Sequence, residues 1–360
     1  MKTFLSLRSV CVLLACIVQL VSGADLATQQ PRVRLVLSTT TVATSPLSTR
    51  DAIAVGEQGH SLFLGDPQEG GQIVLSDSNG RVLTRVGRTG SGPGEYRAPA
   101  PAFVGAGSFA VYDQALRRLT RWRFDGMLDS MSNLNTPVMP LAFSSTHASG
   151  ILLDSAGLST VSVVNLSSGS VQRVVDRSTA FFAAAFPSVR AGQQYVKPIV
   201  GLASEGVLLG EPNSPAISWW SPTGVLIRRF EHSAPPTAPS AARVARVLDG
   251  IQRMRRRAGA APVDAEQMRA AISSTRVPAV SDFSPAREDA FNRVWMLGIS
   301  GDSATAYVFG RQGFVARVPL SCPGFEGRWA LAGRWLALTC ASGPKDHDGD
   351  AVLKLFKIEQ

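Results

Sequence analysis

The chain has 360 residues, 45% of them hydrophobic, and carries 36 Lys and Arg against 27 Asp and Glu for a formal charge of +9. With 33 Gly and 22 Pro along it, this composition excludes a disordered polyelectrolyte, a collagen-like fibre and a coiled coil, and describes a globular chain with a sizeable core. The basic residues are nearly all arginine and are scattered without a recognition helix, zinc finger or stacking motif, so they read as a solvated surface and no nucleic-acid partner is expected.

Residues 1–23 read as an export signal. Lys2 and Arg8 supply a positive start, residues 10–20 are apolar except for Gln19, and Val21-Ser22-Gly23 offers small residues ahead of Ala24 for cleavage. The stretch is too short for a lasting span, so the mature chain is expected to have none and to be periplasmic or extracellular. A second reading takes Leu13-Leu14-Ala15-Cys16 as a lipobox with a lipid anchor on Cys16; the apolar Ile17, Val18, Leu20 and Val21 after it favour simple cleavage.

Strand patterns dominate from there. Residues 32–38 (RVRLVLS) alternate with period two but have no local partner. Five turns then end in Gly80, Gly126, Gly169, Gly224 and Gly313, each between apolar-rich runs, which is the pattern of a β-hairpin whose glycine takes positive φ. They stand roughly the 40–50 residues apart that a four-stranded blade needs, with a longer interval before Gly313. Around Gly126 all four strands are readable, at 100–105, 108–113, 118–124 and from 127 on. At the far end 329–334, 335–340 and 351–358 give only three, and the unpaired 32–38 supplies the fourth, closing the ring and removing two open edges. The expected fold is all-β: a monomeric six-bladed β-propeller of four-stranded blades spanning 24–360, its ring closed by the N-terminal strand. Seven blades, with a degenerate repeat in the long interval, is the rival count.

That interval holds a helical insertion before the fifth blade, at 239–274. Val244, Val247, Leu248, Ile251 and Met254 recur on one helical face, and Asp264 can cap a second helix carrying Met268, Ala271 and Ile272 on its buried side. Arg253, Arg255, Arg256 and Arg257 gather at the end of the first helix, where cations suit the dipole. The hairpin reads either as a packing brace or as a lid or partner-docking element, with those arginines its candidate ligand surface.

Beyond the signal segment the cysteines are Cys322 and Cys340. In an oxidising compartment such a pair is a disulfide candidate, with two buried thiols as the alternative. Asp346, Asp348 and Asp350 imitate a calcium loop, but Ala351 stands where that loop needs Gly. The Gly-rich run from Val86 to Pro99 lacks the Gly-Lys-Ser/Thr ending of a phosphate loop. It reads as a crossing between blades, with Gly90, Gly92, Pro93 and Gly94 permitting the tight path before Glu95 and Tyr96, and with Glu95 accepting backbone amides. No Gly-x-Ser-x-Gly elbow is present. No catalytic residue, metal ligand or cofactor is assigned, and binding is expected ahead of catalysis.

The string GRTGSGPGEYRAP, followed by Phe109-Ala-Val-Tyr-Asp113, Arg118-Leu119 and Phe124-Asp125-Gly126, resembles the exported bacterial six-bladed propellers related to NHL repeats. The match is specific over roughly residues 60–130 and weaker afterwards, where the hairpin glycines persist without the crossing motif. Asn292-Arg293-Val294-Trp295-Met296 is similar to that family's Gly-Arg-Leu-Trp-Val strand, with Asn in place of Gly. The resemblance implies an exported recognition scaffold for an unknown ligand or envelope protein partner. Related propellers that are metal-dependent lactone hydrolases or lyases supply the alternative.

Overall fold

The computed structural model describes residues 33–42, 52–65, 72–153, 159–177, 199–204, 206–210, 216–231, 240–257, 261–274, 286–300, 303–325, 327–341 and 351–360. The export signal with Cys16, together with His232, His347, Asp346, Asp348 and Asp350, lies outside them. The chain divides into Met1–Arg32 and Val33–Gln360, and the architecture below is that of the second unit.

After β1 (Arg34–Val42), β2 (Ala54–Val55), β3 (Ser61–Leu64), β4 (Ile73–Ser76) and β5 (Val82–Val86) pair in order as an antiparallel sheet. A short parallel pair, β6 (Arg88–Thr89) and β7 (Glu95–Tyr96), leads to the next sheet of β8 (Pro99–Val104), β9 (Ser108–Asp113), β10 (Arg118–Arg123) and β11 (Leu128–Asn133). The third consists of β12 (Val138–Phe143), β13 (His147–Leu153), β14 (Ser159–Asn165) and β15 (Val171–Arg177). An eight-stranded sheet follows. One half is β16 (Ile199–Ala203), β17 (Gly206–Gly210), β18 (Ala216–Trp220) and β19 (Leu226–Glu231). After the helices α1 (Ala241–Arg257) and α2 (Ala265–Ser274) comes the other: β20 (Arg287–Glu288), β21 (Val294–Ser300), β22 (Ser303–Gly310) and β23 (Gly313–Leu320). The halves join through one parallel pair, Leu202 on β16 opposite Arg287 on β20. Backbones meet closely there, since a Cβ on Gly201 would stand 1.9 Å from the Ala286 carbonyl oxygen.

The last sheet contains β24 (Trp329–Ala332), β25 (Trp335–Ala341) and β26 (Ala351–Glu359), and β1 is its fourth strand. β1 runs antiparallel to β26 from Arg34 opposite Glu359 to Val42 opposite Val352, with one irregularity between Leu37 and Thr39. Short antiparallel sheets, each stepping from an inner to an outer strand and packed on the next, make this unit a β-propeller.

The local chemistry explains the hairpins. Gly80, Gly126, Gly169, Gly224 and Gly313 all have positive φ, between 70° and 126°. Side chains finish several turns: the Asp77 carboxylate accepts from the amides of Asn79 and Arg81, and the Asn165 side chain from those of Ser167 and Ser168. The core lies between sheets. Leu62, Leu75 and Val86 pack with Phe109, Val111 and Trp122 across the first boundary, and Leu208, Ile217 and Phe230 with Met296, Tyr307 and Phe309 across the middle of the eight-stranded sheet. A further cluster brings Phe63 and Val74 against Ala337 and Leu353, joining the first sheet to the last. Outer strands face water, and β11 is exposed along its whole length.

The helices depart from the expected pattern in one respect. Val244 and Leu248 on α1 are buried, and Asp264 caps α2 through the amides of Glu266 and Gln267, both at 2.9 Å. On α2, however, Met268 and Ile272 are half-buried and Ala271 is exposed. Its contact is with α1, which covers only a narrow stripe.

Candidate functional site

The inner strands converge on a cavity of about 1170 Å³. Ala54 and Val55, Phe103 and Val104, Phe143, Leu202 and Ala203, Arg287, and Ala330 and Leu331 bring residues of every four- and eight-stranded sheet to its wall. The innermost strands read AV, PAPAFV, VMPLAF, IVGLA, RE and WALA. Only β20 among them carries charge.

Arg287 is half-buried and lines the cavity. Its Nη1 donates a long 3.4 Å bond to the Phe143 carbonyl at the end of β12, so the side chain passes β16 to reach the sheet beyond. Its Nε is buried without a hydrogen-bond partner, and no ion pair engages it among the described residues. Burial alone brings its pKa down to about 10, leaving it charged at neutral pH. Neighbouring Glu288 is committed elsewhere, accepting from the Ser204 amide at 2.7 Å.

Asp289, also at the cavity wall, is occupied too. One carboxylate oxygen accepts from the amides of Phe291 and Arg293; the other takes Arg293 Nε and Trp295 Nε1, both at 2.7 Å. This buried ion pair fixes the β20–β21 turn, where Asn292 is left-handed at φ 55°. Ser144, Thr146 and His147 at the β12–β13 turn, Asn165 and Ser170 at the β14–β15 turn, and Arg121 with Nη2 on the Ser145 carbonyl complete a polar mouth. The cavity can therefore hold an apolar body within reach of the Arg287 guanidinium, with Arg121, Arg334, Glu57 and Glu288 also on its lining and hydroxyl and amide groups at its mouth.

The crossing segment forms a different kind of site. Glu95 Oε2 accepts from the amides of Ser91 at 2.9 Å and Gly92 at 2.7 Å, while Oε1 takes Arg88. These bonds, the Gly92 amide first, hold the carboxyl below the usual glutamate range. Gly90 and Gly94 have positive φ, and a Cβ on Gly94 would stand 2.9 Å from the Trp122 ring. Tyr96 is fully buried with its hydroxyl accepting from Trp122 Nε1 at 2.6 Å, and Arg118 reaches the carbonyls of Ser91, Gly92 and Glu95. The amides that would cradle a phosphate are filled by the chain's own carboxylate, and Pro93 lies within the same loop.

Cys322, just beyond β23, and Cys340 on β25 are joined by a disulfide, both fully buried. Of the four arginines on α1, Arg255 is half-buried with Nε on the Ala261 carbonyl and Arg256 is exposed; the side chains of Arg253 and Arg257 lie outside the described residues. Among the described residues, the cavity lining contains none of α1 or α2. Among the described residues no group of three or more His, Cys, Asp or Glu is placed to hold a metal, and no helix is long and apolar enough to cross a membrane. Sequence reading missed Arg287. Its strand is two residues long, too short for periodicity, and the available signal was Arg-Glu-Asp directly before Asn292-Arg293-Val294-Trp295.

No family profile and no curated protein matches this chain. Among solved structures it is similar to a candidate exported protein of Bacteroides fragilis, at 11% identity and a TM-score of 0.48 over 94% of this chain and 98% of that one. A DUF4221 family member from Bacteroides vulgatus is similar at 13% identity and 0.48, covering 92% and 99%. BamB from Moraxella catarrhalis is similar at 9% and 0.34, covering 90% and 98%. At these scores the propeller assignment rests on the strand pairing and inter-sheet packing of the chain itself.

Proposed function

We propose that this chain is an exported, NHL-like six-bladed propeller that acts as a binding scaffold, with the central cavity as its ligand site. The single observation that carries the binding reading is the convergence of all inner strands on one cavity of about 1170 Å³, large enough for a small organic or peptide-like ligand. The blade count treats the halves of the eight-stranded sheet as separate blades, supported by their one-residue junction and by the apolar layer between them. Export rests on the signal-like residues 1–23 and agrees with the Cys322–Cys340 bridge. The α1–α2 hairpin, with Arg255 and Arg256, is proposed as a docking element for an envelope partner rather than part of the cavity wall.

The test is a pull-down with the mature chain from the envelope of its own cell, repeated with a variant whose cavity is filled by Ala203→Trp. A ligand or partner lost on filling supports the scaffold reading. Elemental analysis addresses the metal-dependent hydrolase or lyase: stoichiometric Ca²⁺ or Zn²⁺ with metal-dependent turnover overturns pure binding.

A further inference from the structure

We infer that the cavity selects an organic anion, an apolar body carrying one carboxylate, whose charge is neutralised by Arg287; this rests on the cavity being the ligand site. An arginine on a central strand of a protein is ordinarily paired, because removing a cation from water without a counter-charge costs several kcal/mol. Here the pairing is missing in a specific way. Glu288 is spent on the Ser204 amide and Asp289 on Arg293 and Trp295, so the two carboxylates next to Arg287 in sequence are both engaged. Among the described residues, the hydrogen bond Arg287 makes is one long bond to a carbonyl.

The rest of the wall defines the other end of the ligand. Ala54, Val55, Phe103, Leu202, Ala330 and Leu331 offer apolar surface and no second buried cation on the inner strands. Arg121 and Arg334 also line the cavity, but Arg121 holds the Ser145 carbonyl and Arg334 lies over the Phe291 ring, while the carboxylates of Glu57 and Glu288 oppose a polyanion. A neutral apolar ligand would leave Arg287 Nε without a partner. A monoanion with a hydrocarbon or aromatic body satisfies both surfaces at once, and a guanidinium favours a planar carboxylate.

The test uses octanoate, octanamide and inorganic phosphate against the mature chain, read by calorimetry and by thermal shift. Octanoate is expected to bind at least ten-fold more tightly than octanamide, and phosphate to produce no shift at the same concentration. In Arg287→Met the preference for octanoate over octanamide disappears while octanamide binding persists. Arg287→Met should also melt at a higher temperature than the parent without ligand, since a half-buried guanidinium with an unpartnered Nε has been replaced by an uncharged side chain; this readout separates a binding arginine from a merely structural one, whose loss lowers the melting temperature. Equal affinity for octanoate and octanamide, no binding of octanoate, phosphate as the better ligand, or a lowered melting temperature for Arg287→Met with octanoate binding unchanged each overturns the inference. Ala203→Trp distinguishes the two levels: if it abolishes octanamide binding, the cavity is the site even where anion selection fails, and if it leaves both ligands bound, the cavity reading itself fails.

Discussion

Glu95 shows how one side chain can settle what a loop is for. Its carboxylate occupies the amides of Ser91 and Gly92 and pairs with Arg88, which depresses its pKa in the folded chain relative to an unfolded one. A depressed acid contributes stability above its unfolded pKa and loses it as pH falls through the folded value. The folded chain should therefore lose stability on acidification from the ordinary glutamate range downward. Glu95→Gln should flatten that acid limb while lowering stability at neutral pH, measured as urea midpoints across pH; an unchanged acid limb in the variant counts against the assignment. At Asn292 the constraint is steric. Its φ of 55° is tolerated by Asn and free for Gly. Asn292→Ala should cost about 1–2 kcal/mol and Asn292→Gly almost nothing, read from chemical denaturation.

Among the elements, the hairpins were legible in the sequence and the junctions were not. A turn glycine between alternating runs encodes its own conformation locally, so the glycines of the five turns and the strand 108–113 could be read directly. The pairing of the first strand with the last three followed from counting edges. β20 and the β16–β20 contact could not be read, because a two-residue strand has no period and its partner depends on where distant backbone comes to rest. The same limit hid the cavity: each inner strand is an ordinary apolar segment until the others stand beside it. Two predictions belong here. Removing residues 34–42 exposes the edge of β26, and the product should aggregate or lose its cooperative melt, measured by calorimetry and light scattering. Replacing Cys322 and Cys340 together by Ser opens a loop with a sequence separation of 18, with an expected cost of about 3 kcal/mol by loop entropy. Denaturation of the reduced and oxidised parent provides the control.

At the scale of the molecule, the helical hairpin stands apart from the propeller's own economy. α1 buries Val244 and Leu248, α2 buries no residue, and none of their described side chains lines the cavity. Replacing residues 240–274 by a short Gly-Ser linker should therefore leave the propeller folded and octanoate binding intact, while loss of an envelope partner in pull-down would mark the hairpin as a docking surface. A collapse of the melting transition in that variant would make it a structural brace instead.

The seam between β1 and β26 also sets an order of events. Arg34 finds its partner only in Glu359, so nearly the whole chain must be made before the first strand has anywhere to go. Any sheet between them can assemble earlier from neighbouring sequence, but the circle stays open until residues 351–359 arrive. Such a chain is slow to commit, because its decisive contact is its most distant one. Until then the sheets stand in a row with a bare edge at each end, and only the pairing of β1 with β26 covers both.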